Sequence, residues 1–153
     1  MPPSWRADLK VGFYLSAQQP VERVLPQIAR KALLAGGRLL VVASEEDLLD
    51  RLDRALWEEF PEDFLAHGYG GQPNADRQPI LLSRSCEAEN SARMIALADG
   101  QWREEASTFD RAFLFFDDAG RGAARKVWAG IDTGAGIERE FFEYENGKWE
   151  RKA

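Results

Sequence analysis

Four consecutive apolar residues, Leu39-Leu40-Val41-Val42, constrain the fold of this chain more than any other segment. Successive side chains of a strand point to opposite faces of its sheet. A strand with one wet face therefore alternates apolar and polar residues, and this one does not. It belongs to a strand covered on both faces, the usual state of a parallel sheet with helices packed on each side. Parallel neighbours also need crossover connections, normally helices. The run predicts an α/β layered chain.

The flanking sequence supplies those helices and strands. Residues 9–16 read as a first strand rich in sheet-forming side chains. Residues 21–35 read as a helix with Val21, Val24, Leu25, Ile28, Ala29 and Ala32 on one face. Pro26 suits a helix only near its first turn, which leaves the start of this one open. Gly36-Gly37 stops it. The second strand covers 38–43, and Ser44 is placed as the N-cap of the next helix, with Glu45, Glu46 and Asp47 in its first turn. Along that helix Leu48, Leu52, Ala55 and Leu56 share a face that can be buried. Residues 68–78 read as a polar, glycine-rich loop, followed by strands at 79–83, 93–98 and 111–116. A helix over 120–131 is weakened by Gly120, Gly122 and Gly130. A strand at 138–144, a tight turn at Asn146-Gly147 and a short return strand around Trp149 complete the pattern. It predicts residues 1–8 as an N-terminal extension and 9–153 as one domain, a mainly parallel sheet flanked by helices.

A chain of 153 residues can bury a stable core without disulfides. The net charge of −6 repels phosphate, so a direct grip on DNA is not expected. The single Cys86 forms no internal disulfide, which fits a reducing compartment. The first residues, Met1-Pro2-Pro3-Ser4-Trp5, carry no apolar signal core. No apolar run approaches the roughly 20 residues that span a bilayer. The expectation is a soluble, cytoplasmic protein.

Motifs for catalysis are wanting. The first strand runs into Ala17-Gln18-Gln19-Pro20, where dinucleotide binding requires glycines that let backbone approach a pyrophosphate. Gly147-Lys148 lacks the rest of a phosphate loop, and Gly120-Arg121-Gly122 reads as a helix entry. One histidine and one cysteine leave only carboxylates for a metal. The groups Glu45-Glu46-Asp47, Glu58-Glu59 and Glu62-Asp63 read as solvated surface charge. His67 reads as a structural hydrogen-bonding group. No catalytic residue, cofactor or metal is expected.

Two other groups of residues suggest binding. Trp57, Phe60 and Phe64 lie beyond the apolar stripe of their helix, either as an anchor surface for another protein or as a lid on the domain's own core. Arg121 and Arg125 are four apart on one helical face, with Trp128 three further on. Guanidiniums beside an indole suit a carboxylate attached to an apolar side chain. The other reading is a surface helix with Trp128 in the core.

The segment Leu52-Asp53-Arg54-Ala55-Leu56-Trp57, followed by Phe64-Leu65-Ala66-His67, resembles the chi subunit family of bacterial DNA polymerase III. Ala66 stands where that family usually has proline. Phe13-Tyr14-Leu15, Gly37-Arg38-Leu39-Leu40-Val41-Val42, Arg77-Gln78-Pro79-Ile80-Leu81-Leu82 and Phe109-Asp110-Arg111 match further landmarks in order, and residues 146–153 resemble the longer-tailed members. The resemblance implies a Rossmann-like fold and a non-catalytic accessory subunit of the polymerase holoenzyme. It implies that Arg121, Arg125 and Trp128 bind the acidic, phenylalanine-ended C-terminal tail of single-stranded-DNA-binding protein. It also implies that Trp57, Phe60 and Phe64 meet the psi subunit of the clamp-loader complex, or a helicase-like substitute. DNA would be reached only indirectly. Many relatives are also basic on both sides of the aromatic, where this chain has Val127 and Ala129, with Lys126 nearby. A charged hydrogen bond and a buried phenylalanine each contribute about 1.5–3 kcal/mol. After association costs, tail affinity on the order of micromolar is expected. The rival expectations are a small nucleotide-binding α/β enzyme and a homo-oligomer joined by its aromatics.

Overall fold

Leu39–Val42 forms a strand whose four residues are fully buried, with a parallel neighbour on each side, as its composition requires. The computed structural model describes residues 8–153. The expected N-terminal extension lies outside the described residues except for Asp8. The strands are β1 (Lys10–Ala17), β2 (Leu39–Val42), β3 (His67–Tyr69), β4 (Ile80–Ser83), β5 (Met94–Leu97), β6 (Arg111–Asp117), β7 (Glu138–Glu145) and β8 (Lys148–Arg151). The helices are α1 (Val21–Leu34), α2 (Glu46–Glu58) and α3 (Arg121–Gly130). One eight-stranded sheet has the order β3-β4-β2-β5-β6-β1-β7-β8. Every pairing is parallel except the hairpin of β7 and β8. Its turn places Asn146 and Gly147 at φ 51° and 80°, the positive values that a two-residue hairpin needs.

Alternation along the strands sorts the core into two layers. Val11, Phe13 and Leu15 of β1, Leu40 and Val42 of β2, and Leu114 and Phe116 of β6 share one layer with Ala124 of α3. Tyr14, Leu39, Val41, Phe113 and Phe115 point the other way, against Val24, Leu25 and Ile28 of α1 and Leu49, Leu52 and Leu56 of α2. Thus α1 and α2 cover one face and α3 the other.

Local details differ from the sequence expectations in four places. Pro26 lies inside α1 and is buried, beyond the first turn to which its missing N–H would confine it; the apolar face of the whole segment holds the helix together. Ser44 does not cap α2. Glu45 occupies that position without a side-chain bond, while Ser44 donates its N–H to Asp99 Oδ2 (2.9 Å) and accepts from Arg103 Nη2 (2.8 Å). The glycine-rich segment 68–78 begins as part of the edge strand β3, and Leu49 rather than Leu48 lies deepest in α2. The end of α1 follows expectation. Gly36 takes φ +82°, and the Gly36 and Gly37 N–H groups close on the carbonyls of Leu33 and Ala32 at 2.9 and 3.0 Å.

Tyr14 ties the inner strands to the hairpin. Its ring stacks on Phe142 (4.8 Å between centroids) and Phe115 (5.2 Å), with Trp149 edge-on at 5.1 Å. Gly12, two residues earlier on the same face, makes room: a Cβ there would lie 2.5 Å from Tyr14 Cε2. With its ring held on three sides, Tyr14 has little freedom to retreat. Gly12→Ala should therefore cost about 1–3 kcal/mol of stability by overpacking. Urea denaturation would measure this, and an unchanged midpoint would contradict it.

Candidate functional site

Small residues bring α3 close to the sheet. Asp117 Oδ1 accepts from the Gly120 N–H at 3.0 Å and closes the short turn Asp118–Gly120 that leads into the helix. A Cβ on Gly120 would lie 3.2 Å from Phe116 Cβ, so a side chain there would crowd the strand. Ala124 is buried one turn on. Between helix and sheet lies an open hollow of about 300 Å³. Phe13, Phe116 and Phe141, from three adjacent strands, form its apolar floor; Arg121, Ala124, Arg125 and Trp128 form the α3 wall, and Ala153 touches it from the chain end.

Arg121, Arg125 and Trp128 thus meet at one site, each in a different state. Trp128 is half-buried, packed edge-on against Phe13 at 5.1 Å. The Arg139 guanidinium lies 4.3 Å over its indole, and Arg139 Nη1 donates to the Trp128 carbonyl at 2.6 Å. A cation over a tryptophan face and a bond to its backbone hold the ring in place. Arg121 is engaged: Nε contacts Asp118 Oδ1 at 2.9 Å, and Nη2 lies 3.8 Å from Glu143 Oε1. The neighbouring Glu145 raises the Glu143 carboxyl above its ordinary value, while Glu145 is itself held lower by Glu143 and by Lys152. Arg125 is exposed and has no hydrogen bond or ion pair among the described residues. The hollow thus offers an aromatic floor, a fixed indole and one uncommitted cation, a combination that suits an apolar group carrying negative charge.

The second group of residues is only partly assembled. Trp57 and Phe64 are 44% and 69% exposed and pair with ring centroids 5.4 Å apart. Phe64 holds φ 45°, a left-handed conformation uncommon for an aromatic. Phe60 instead is half-buried against the α1–α2 core, under the Arg30 guanidinium at 4.9 Å. His67 supports the pair from below. Its ring lies 4.3 Å from that of Trp57, with Nδ1 at 2.7 Å from the Leu65 carbonyl and Nε2 at 2.7 Å from Asp53 Oδ1. This patch sits at the end of α2, on the face of the sheet opposite α3.

A crevice of about 430 Å³ opens at the carboxyl ends of the parallel strands, where open α/β sheets commonly bind nucleotides. Here Glu22, Glu45, Asp99 and Asp117 line it against Arg51, a charge balance that disfavours phosphate. Burial pushes the Asp99 carboxyl up, but Arg103, bonded to both its oxygens at 2.9 Å, and the Ser44 N–H outweigh this and hold it below the usual range. Burial, then the charge of Glu105, raises the half-buried Cys86 thiol, which disfavours the reactive thiolate. No cluster of three or more metal-ligating side chains occurs among the described residues, and no helix among them is long and apolar enough to cross a membrane.

Sequence reasoning did not find the floor of the hollow, nor Arg139, Asp118 and Glu143. Alternation along β7 does place Arg139, Phe141 and Glu143 on one face, but nothing in the sequence shows that this face meets α3. Parallel pairing of β7 with β1 brings them there.

Three comparisons bear on identity. Residues 9–137 match the family described as DNA polymerase III chi subunit, HolC. DNA polymerase III subunit chi of Escherichia coli K12 is 28% identical over 78 residues, 51% of this chain and 53% of that protein, so the match spans about half the length of that relative. A solved structure of a Saccharomyces cerevisiae Dbp5 variant bound to a Gle1 variant and IP6 superposes with a TM-score of 0.51 at 13% identity, over 89% of this chain and 42% of that one. It shares the fold alone. The family match covers most of the chain: the chain belongs to the DNA polymerase III chi subunit family.

Proposed function

We propose that this chain is a non-catalytic replisome adaptor that links the clamp-loader complex to single-stranded-DNA-binding protein. The hollow beneath α3 takes the acidic, phenylalanine-ended tail of that protein. The phenylalanine ring enters between Phe13, Phe141 and Trp128, and its carboxylate meets Arg125. The observation that carries this reading is the uncommitted Arg125 guanidinium at the rim of an aromatic hollow. A net charge of −6 leaves DNA to the partner, so contact with the template is indirect. The work is local concentration in the cytoplasm, and no bond is made or broken.

The Trp57–Phe64 pair, with Phe60 beside it, is the surface for the second partner, the psi subunit or a helicase-like substitute. Its position on the opposite face of the sheet from the hollow allows both partners to be held at once. Exposed, preorganised aromatics are what anchors at protein interfaces share.

Two measurements check this reading. In fluorescence anisotropy, a labelled tail peptide should bind on the order of micromolar, and Arg125→Ala should weaken it about tenfold or more, the loss of one charged hydrogen bond. Unaltered affinity would remove Arg125 as the anchor. In a pull-down with psi, Trp57→Ala should abolish retention while tail binding stays intact. Full retention would move the second interface elsewhere.

A further inference from the structure

We infer that Asp118 and Glu143 are specificity-determining residues of the α3 hollow: they compete with the ligand's carboxylates for Arg121. This rests on the reading of the hollow as a tail-binding site and adds to it the internal acids that an incoming tail must displace.

A guanidinium binds a carboxylate best along one edge, through two parallel N–H donors. One such edge of Arg121 is formed by Nε and Nη2. Asp118 holds Nε at 2.9 Å, and Glu143 stands 3.8 Å from Nη2. The two acids come from different elements, the turn before α3 and the β7 strand, and converge on this one arginine. Its neighbour Arg125, one turn along the same helix, has no such partner among the described residues. The two arginines of the hollow are therefore unequal. Arg125 is open to any single carboxylate, while Arg121 yields only to a ligand that brings further negative charge.

The exchange is cheap. The side chains of Arg121, Asp118 and Glu143 are 42%, 55% and 25% exposed, so water screens the pairs and solvates the acids once released. A ligand with one terminal carboxylate engages the hollow through Arg125 alone. A tail with several acidic side chains near its end engages both arginines. The pair of internal acids thereby sets how much affinity acidity adds: an acidic tail gains less over an apolar peptide ending in phenylalanine than two free arginines would give it.

The test is a double-mutant cycle by anisotropy at fixed ionic strength, with a labelled acidic peptide ending in phenylalanine. Asp118→Asn and Glu143→Gln, singly and together, should tighten binding about two- to fivefold, as expected for loss of exposed ion pairs. In an Arg121→Ala background the same substitutions should leave affinity unchanged. Weaker or equal binding by the Asn and Gln variants would overturn the inference, showing that the acids orient Arg121 or are idle. An equal gain in the Arg121→Ala background would also overturn it, because the effect would then be long-range charge rather than competition. If the unsubstituted protein fails to bind the peptide, the tail-binding reading itself falls, whereas binding that responds to Arg125→Ala but not to Asp118→Asn or Glu143→Gln leaves that reading standing without the competition.

Discussion

Leu39 to Val42 are each 0% exposed, and covering such a strand on both faces is the constraint from which the rest of the molecule follows. A fully buried parallel strand removes its side chains from water on two sides and demands a helix layer on each. The chain meets this with α1 and α2 on one face and α3 on the other. Two helical layers give two surfaces that cannot touch each other, and the two aromatic regions are divided between them. The Trp57–Phe64 pair lies at the end of α2, while the hollow lies under α3.

The layer formed by α3 is the thinner one. Its helix carries Gly122 and Gly130, and Ala124 is its one fully buried residue. Such a helix cannot fill the space over three strands with its own side chains, so a hollow remains over Phe13, Phe116 and Phe141, with Phe141 only partly buried. Burial in a core would conceal an indole. Trp128 instead stays half-buried, clamped between Phe13 and Arg139. The open volume and the fixed ring thus share one physical cause, a light helix over an aromatic floor.

Much of this was legible in the sequence. Apolar patterns marked the elements, because burial of one face leaves a period and burial of both leaves an unbroken apolar run such as Leu39–Val42. The i, i+4 spacing placed Arg121 and Arg125 together, and Asn146-Gly147 marked the hairpin. What was not legible depends on long-range pairing. Arg139 reaches Trp128 only because β7 lies beside β1, and the commitment of Arg121 to Asp118 and Glu143 is a property of three elements at once. Local chemistry also misplaced Ser44. A serine before an acidic turn is a sound N-cap signal, but Asp99 and Arg103, distant in sequence, claim its backbone and hydroxyl. Phe60 looked equivalent to Trp57 and Phe64, yet the cation of Arg30 and the α1–α2 seam hold it apart from them.

The central claim, that the α3 hollow receives an acidic chain end bearing an aromatic ring, is tested most directly by the indole N–H resonances of the protein. Titration with the unlabelled tail peptide should move the Trp128 indole signal early and saturably, with those of Trp57 and Trp102 unmoved. A titration that shifts Trp57 while Trp128 stays in place, or that shifts no indole at all, would contradict the account.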